Sequence, residues 1–360
     1  MGASAVAVDR LFFRLQTGPM AEAASTKSIV DDPHWFPVRY DETRDQFRLR
    51  RVLREDHREA VFLSEEYLGT DGEWQTLARE AATQQTTGAA LRFVFHSGFC
   101  CSTLVARAFD LPGAAMGLKE PQALQDVAGY RIRGASEAQV DAALAATLGL
   151  LARPLEPGEA VIVKPSCIVN FEAERIMRLR PDTCAVFLHA PPRVFLGSIA
   201  RKGITGRLWA RELFAGLQKS GLMSLGYSAD ELFGQTDLQI AGLAWLAQHI
   251  HFMRLADQLG PERMRMLDSE TLLAQPREAI AALATYFGLD LTPAQIEAIL
   301  SGPAFTSHSK FGTEFDASLR EDERAAEDLY TDEINKVAIW LEHVADGLGA
   351  NFAERHPLLG

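Results

Sequence analysis

The sequence predicts an α/β protein with a central parallel sheet of about five strands and helices on both faces, and three observations predict it. Apolar runs of strand length recur at 91–95, 114–119, 160–164, 184–189 and 263–268. They are apolar at consecutive positions, as in strands buried on both faces, rather than at alternate ones. The intervals between them carry helical spacing, which is the alternation that builds a three-layer α/β fold.

Taken in order, residues 1 to about 25 are rich in alanine and read as a loose or helical arm. From His34 to Gly69, aromatic and charged residues alternate in short runs broken by Asp-containing turns, which predicts a small β-containing extension. The small polar text AATQQTTGAA, 81–90, reads as a linker, so the chain divides into 1–90, arm and extension, and 91–360, the main domain. Helical texts lie at 103–110, 122–130, 136–152 and 170–180 and across a long region from about 192 to 259. Further helices are expected at 276–287, 293–300 and 320–348, with Pro276 and Pro293 near helix starts, where a missing N–H does no harm.

Composition bounds the function. A chain of 360 residues with 47% apolar content can bury a substantial core. No run approaches membrane-spanning length and the first residues lack a secretory pattern, so the expectation is a cytoplasmic protein with no membrane partner. Cys100, Cys101, Cys167 and Cys184 have no metal-ligand spacing and read as packing thiols, with no metal site expected. A net charge of −12 argues against a nucleic-acid surface and leaves a small-molecule or peptide acceptor as the expected partner, with the oligomeric state open. A local basic cleft drawing on Lys119, Lys164, Arg193, Arg201, Lys202 and Lys310 is compatible with that acidic shell.

The segment LRFVFHSGFCCSTLVARAF, 91–109, carries the clearest functional signal. A strand breaks at Ser97-Gly98 and a helix restarts at Ser102-Thr103, so that helical N–H groups and the positive dipole end face the loop, an arrangement suited to phosphate or sulfate. Gly98, Phe99, Cys100, Cys101, Ser102 and Thr103 are the expected anion-binding residues. The Walker A pattern is absent, because Cys101 and Ser102 stand where its Gly-Lys would precede Thr103. Each strand also ends in polar residues: His96, Lys119-Glu120, Lys164-Pro165-Ser166, His189 and Asp268. Parallel sheets bind ligands outside these ends, so the groups are expected to converge. Glu120 reads as a general base or as a helix cap, Lys164 as a site cation or an ion-pair partner, and Asp268 as a cap or local pair.

Four segments together resemble the sulfotransferase superfamily over roughly residues 90 to 320: HSGFCCSTLVARAF, VIVKPS, LRPDTCAVFLHAPPRVFLGSI and RMRMLDSETLLAQPREAIAALATYFGLDL. The resemblance implies a phosphate-loop domain that moves a sulfuryl group from 3′-phosphoadenosine 5′-phosphosulfate to a hydroxyl of a small molecule or peptide. It implies Glu120 as catalytic base, with Lys164 or Lys119 stabilising charge on the bridging oxygen. The loop 98–103 would hold the 5′ end and Ser198 the 3′-phosphate, with Lys310 and Arg320 of the Gly-containing text 307–320 closing over the ligand or lying in a solvated loop. Two positions depart from the family pattern. His96 stands where Lys or Arg commonly precedes the Ser-Gly pair, and Ala190 stands where an arginine usually meets the 3′-phosphate, leaving Arg193, Arg201, Lys202 and Lys310 to compensate. An ATP-dependent kinase using ATP with magnesium is the alternative on the same fold. A non-catalytic nucleotide-binding or scaffold protein is the third reading.

Overall fold

The computed structural model describes residues 26–83, 88–222, 225–306 and 317–359. The arm 1–25, the 307–316 part of the segment containing Lys310, and part of the 81–90 linker lie outside them.

A small antiparallel sheet comes first: β1 (Trp35–Asp41), β2 (Gln46–Arg51) and β3 (Trp74–Ala78), in that order. The second sheet contains β4 (Leu91–His96), β5 (Ala115–Lys119), β6 (Ala160–Lys164), β7 (Cys184–His189) and β8 (Met264–Asp268). Its order is β5-β6-β4-β7-β8 and every pairing is parallel. The fold is therefore α/β as expected, with the first strand of the sheet at its centre.

Side-chain alternation explains why these strands read as continuous apolar runs. Leu91, Phe93, Phe95, Val161, Val163, Ala185 and Phe187 join one core cluster, while Val94, Ile162, Val186 and Leu188 join the other. Successive side chains point to opposite faces, and both faces are covered. The first cluster also takes in Phe36, Val38, Phe47, Leu49 and Leu77, so the small sheet shares a core with one face of the large one. Charge pins it there as well: Arg39 grips Asp126 through two hydrogen bonds of 2.8 and 3.0 Å. Arg153, almost fully buried, donates to the carbonyls of Ile29, Val30, Asp32 and Trp35.

Helix boundaries follow local chemistry. Pro276 and Pro293 open the helices Pro276–Phe287 and Pro293–Leu300. Two expectations are corrected. The helix expected at 170–180 begins as a 3-10 turn, Cys167–Glu172, before the α-helix Ala173–Leu179. Among the described residues the long region 192–259 is four helices, Pro192–Arg201, Gly203–Lys219, Ala229–Phe233 and Asp237–Leu259. Its first break falls at Lys202-Gly203, where Gly203 takes a positive φ of 57° that side chains disfavour. The last helix, Ala317–Gly347, includes Arg320. Among the described residues no helix is long and apolar enough to cross a membrane.

Three histidines make the fold acid-sensitive. Burial disfavours the imidazolium and pushes His57 and His249 down to about 3 and His251 to about 4, from an ordinary 6.5. The unfolded chain therefore binds protons that the folded chain refuses. Stability should be complete above about pH 6.5 and decline as pH falls toward 4, by on the order of 1 kcal/mol per pH unit for each histidine. Urea midpoints measured at pH 7.5, 5.5 and 4.5 check this, and His57→Phe should flatten the slope; a midpoint independent of pH would contradict it.

Candidate active site

The five parallel strands end on one edge, and the polar residues expected to converge there divide into three groups. The first surrounds the loop between β4 and the helix Ser102–Ala108. Gly98, Phe99 and Cys101 all have positive φ, of 89°, 52° and 62°, so the chain curls tightly over the helix start. For Phe99 and Cys101 this is a conformation L side chains rarely hold without a reason. Gly98 admits no larger residue easily, since a Cβ there would meet the Trp209 ring at 3.1 Å. Ser102 and Thr103 are buried in the first turn, where an α-helix leaves its N–H groups without intrahelical acceptors.

His96 holds this curl in place. Its Nδ1 accepts the N–H of Gly98 at 3.0 Å, and its Nε2 lies 2.9 Å from the carbonyl of Pro165. A carbonyl can only accept and an amide N–H only donate, so the ring carries its proton on Nε2 and is neutral. His96 therefore serves as a brace between β4 and the end of β6, rather than as the cation that its position in the family pattern would supply. Asn170, fully buried, secures the same point from behind, donating to the His96 carbonyl at 2.8 Å and to Gln248 at 2.7 Å.

The second group supplies charge. Lys119 and Lys164 are register partners on β5 and β6 and leave the sheet on the same face, yet their ammonium groups diverge. The Lys164 ammonium, buried to 2% exposure, pairs with the Glu120 carboxylate and lies 5.3 Å from the centre of the Phe62 ring. Its charge acts on the thiols of both Cys100 and Cys167, which places it beside the loop. Glu120 has a positive φ of 50°, and its N–H donates to the Lys164 carbonyl at 2.6 Å. This left-handed backbone follows directly on β5. Glu120 does not cap the following helix, Gln122–Ile132, whose N-cap position is Pro121 with no side-chain bond.

Lys119 does not join them, which corrects its expected place beside the reaction. Its Nζ donates to the carbonyls of Arg58, at 3.0 Å, and Ala60, on the outer flank of the edge strand. Cys100 and Cys167 are buried thiols whose pKa burial raises, to about 12 for Cys167, so they pack against the site rather than attack.

The third group sits at the start of the helix Pro192–Arg201. Ala190 is fully buried, its N–H donated to Ser97 Oγ at 3.2 Å and its carbonyl accepting from Trp245 Nε1 at 2.8 Å. That position faces the apolar cluster and has no room for an arginine. Ser198 Oγ donates to the Val194 carbonyl and accepts from Arg201 Nη2 at 3.1 Å. Of the three described residues named as compensating cations, Arg201 is the one bonded to Ser198, whereas Arg193 is held by Asn335 and Lys202 lies 5.7 Å from the Phe99 ring centre. Lys310 lies outside the described residues.

His189 and Asp268 are occupied elsewhere. His189 Nε2 meets Glu354 at 2.9 Å, and Asp268 caps the helix Ser269–Ala274 by accepting from Glu270 and Thr271. Sequence reasoning missed Trp209, Phe195, Phe62 and Asn170. The first two stand against Phe99 at ring-centre distances of 5.1 and 5.9 Å and wall the loop. Nothing in their spacing distinguishes them from core residues of amphipathic helices.

These features define an α/β domain in which the curled loop and the Lys164–Glu120 pair lie together at the carboxyl ends of the parallel strands. No protein-family model matches the sequence and no curated protein does. Solved structures do resemble it. A sulfotransferase domain from the curacin biosynthetic pathway is 14% identical, with 74% of this chain and 100% of that chain covered and a TM-score of 0.39. The sulfotransferase domain of the Synechococcus PCC 7002 olefin synthase is 13% identical, with 75% and 97% covered and a TM-score of 0.37. Sulfotransferase STF9 from Mycobacterium avium is 11% identical, with 71% and 79% covered and a TM-score of 0.40.

The loop geometry yields one expectation directly. Gly98→Ala would place a side chain at a φ of 89° against the Trp209 ring, and should destabilise the fold by on the order of 1–3 kcal/mol. Urea denaturation of the variant beside the parent checks it; an unchanged midpoint would show that the curl does not depend on this glycine.

Proposed function

We propose that the chain is a transferase of the sulfotransferase type, moving a sulfuryl group from 3′-phosphoadenosine 5′-phosphosulfate to a hydroxyl of a small molecule or peptide. The observation that carries the reading is the Lys164–Glu120 pair, set at adjacent strand ends beside the curled loop. The donor fits the residues present in two respects. Ser102, Thr103 and the first helical turn offer donors to its 5′ end, and Ser198 with Arg201 offers a hydroxyl and a guanidinium to its 3′-phosphate.

In the transfer, the acceptor oxygen forms a bond to sulfur as the bond from sulfur to the bridging 5′-phosphate oxygen breaks, leaving adenosine 3′,5′-bisphosphate. Glu120 takes the acceptor proton, since one carboxylate oxygen meets Lys164 and the side chain keeps 16% exposure. Lys164 supplies the positive charge that the loop lacks because His96 is neutral. Its burial strengthens its field on charge developing nearby. Phe62 and the thiols of Cys100 and Cys167 help keep water from that ammonium.

Binding separates this reading from a kinase. Adenosine 3′,5′-bisphosphate should bind at least about tenfold tighter than 5′-AMP, about 1.4 kcal/mol, and Arg201→Ala should abolish that margin. Equal affinities for the two in the parent, with magnesium-ATP binding tightest, would favour phosphoryl transfer instead. Glu120→Gln should lower turnover with a measured acceptor by on the order of 10²–10⁴ while leaving bisphosphate affinity within about twofold. An unchanged rate constant would reduce Glu120 to the structural counter-ion of Lys164.

A further inference from the structure

Both peptide groups of Gly98 are tied to a single helix. On one side, His96 Nδ1 accepts the Gly98 N–H at 3.0 Å. The His96 carbonyl in turn accepts from Asn170 Nδ2 at 2.8 Å, and the same Nδ2 donates to Gln248 Oε1 at 2.7 Å. On the other side, Ser97 Oγ donates to the Gly98 carbonyl at 3.1 Å and accepts the Ala190 N–H at 3.2 Å. The Ala190 carbonyl then accepts from Trp245 Nε1 at 2.8 Å. Trp245 and Gln248 are three residues apart in the helix Asp237–Leu259, so the two chains leave one face of it.

Every member is buried: Trp245, Gln248, Asn170, Ala190 and Ser97 are at most 1% exposed, and His96 is 4% exposed. Gln248 Nε2 donates to the Ala244 carbonyl of its own helix at 3.0 Å, which turns Oε1 toward Asn170. Asn170 Oδ1 is buried without a hydrogen-bond partner, a cost that packing alone does not call for. What the chains hold is a loop in which Gly98, Phe99 and Cys101 all have positive φ. Such conformations persist where surrounding contacts over-determine them, and connected buried hydrogen bonds are stiff enough to do so.

We propose that Trp245, Gln248 and Asn170 are positioning residues: through these two chains the helix Asp237–Leu259 fixes the Gly98 peptides and so sets the loop that receives the 5′ end of the donor. The placement of the loop stands on the hydrogen bonds, and its consequence for the donor rests on the sulfuryl-transfer reading.

Exchange of the Gly98 amide, followed by NMR in the full chain with isotope-labelled glycine, tests the placement. Trp245→Phe keeps an aromatic ring and removes the indole donor, while Gln248→Met keeps the side-chain length and removes the acceptor. Each should speed Gly98 exchange at least about tenfold while Gly129, in the helix Gln122–Ile132, keeps its parent rate. Either variant suffices if the other fails to fold. Titration with adenosine 3′,5′-bisphosphate and adenosine 3′-monophosphate tests the consequence. Both variants should bind the bisphosphate at least about tenfold more weakly, with the monophosphate, which lacks the 5′ group, within about twofold of the parent. Parent-like Gly98 exchange, equal acceleration at Gly98 and Gly129, or faster Gly98 exchange with undiminished bisphosphate affinity would each overturn the proposal. Faster Gly98 exchange in the variants of a parent that binds neither nucleotide would uphold the positioning and sink the sulfuryl-transfer reading instead.

Discussion

The pairing of the Lys164 ammonium, buried to 2% exposure, with the Glu120 carboxylate is the constraint around which the site is arranged. Removing either partner would leave an uncompensated charge in a poorly solvated place, a loss of several kcal/mol in general experience. A hydrophobic pair of similar volume would often be at least as stable there. The pair also spans two strands, β5 and β6, and needs Glu120 in a left-handed conformation that an ordinary strand end would not require. Strain and buried charge at one point, beside the curled loop, are features that stability does not account for by itself.

The same economy runs through the loop. A charged residue at position 96 would lie close to Lys164 and would need its own counter-ion. A neutral imidazole instead satisfies the Gly98 N–H and the Pro165 carbonyl at once, tying the loop to β6. Positive charge is thereby concentrated on Lys164. In the helix Pro192–Arg201 that follows the buried Ala190, Arg201 donates to Ser198 Oγ one helical turn before it at 3.1 Å.

How much of this was legible depended on whether a feature was local. The five strands were readable to within one residue, because burial on both faces imposes unbroken apolar runs, as in Val161 to Val163. The loop was readable because Ser97-Gly98 and Ser102-Thr103 interrupt that pattern in a way only a turn and a helix start explain. The direction of Lys119 was not. Lys119 and Lys164 have the same residue type, the same strand-end position and the same sheet face, and they differ only in what lies beyond the edge strand. For Lys119 these are the carbonyls of Arg58 and Ala60, some sixty positions earlier in the chain. Trp209 was hidden for a related reason, since an aromatic residue on an amphipathic helix has the same spacing whether it walls a loop or fills a core.

The N-terminal extension thus has a part in the site's electrostatics as well as in packing. Without the carbonyls of Arg58 and Ala60, Lys119 and Lys164 would extend side by side from paired positions, two like charges on adjacent strands, an arrangement that destabilises sheets. Drawing Lys119 outward relieves that repulsion and leaves Glu120 to answer a single cation. Phe62, which follows Ala60 by two residues, then lies against the Lys164 ammonium and helps exclude water from it. The extension and the strand ends therefore form one electrostatic unit, in which the segment that removes one lysine from the site also shields the one that remains.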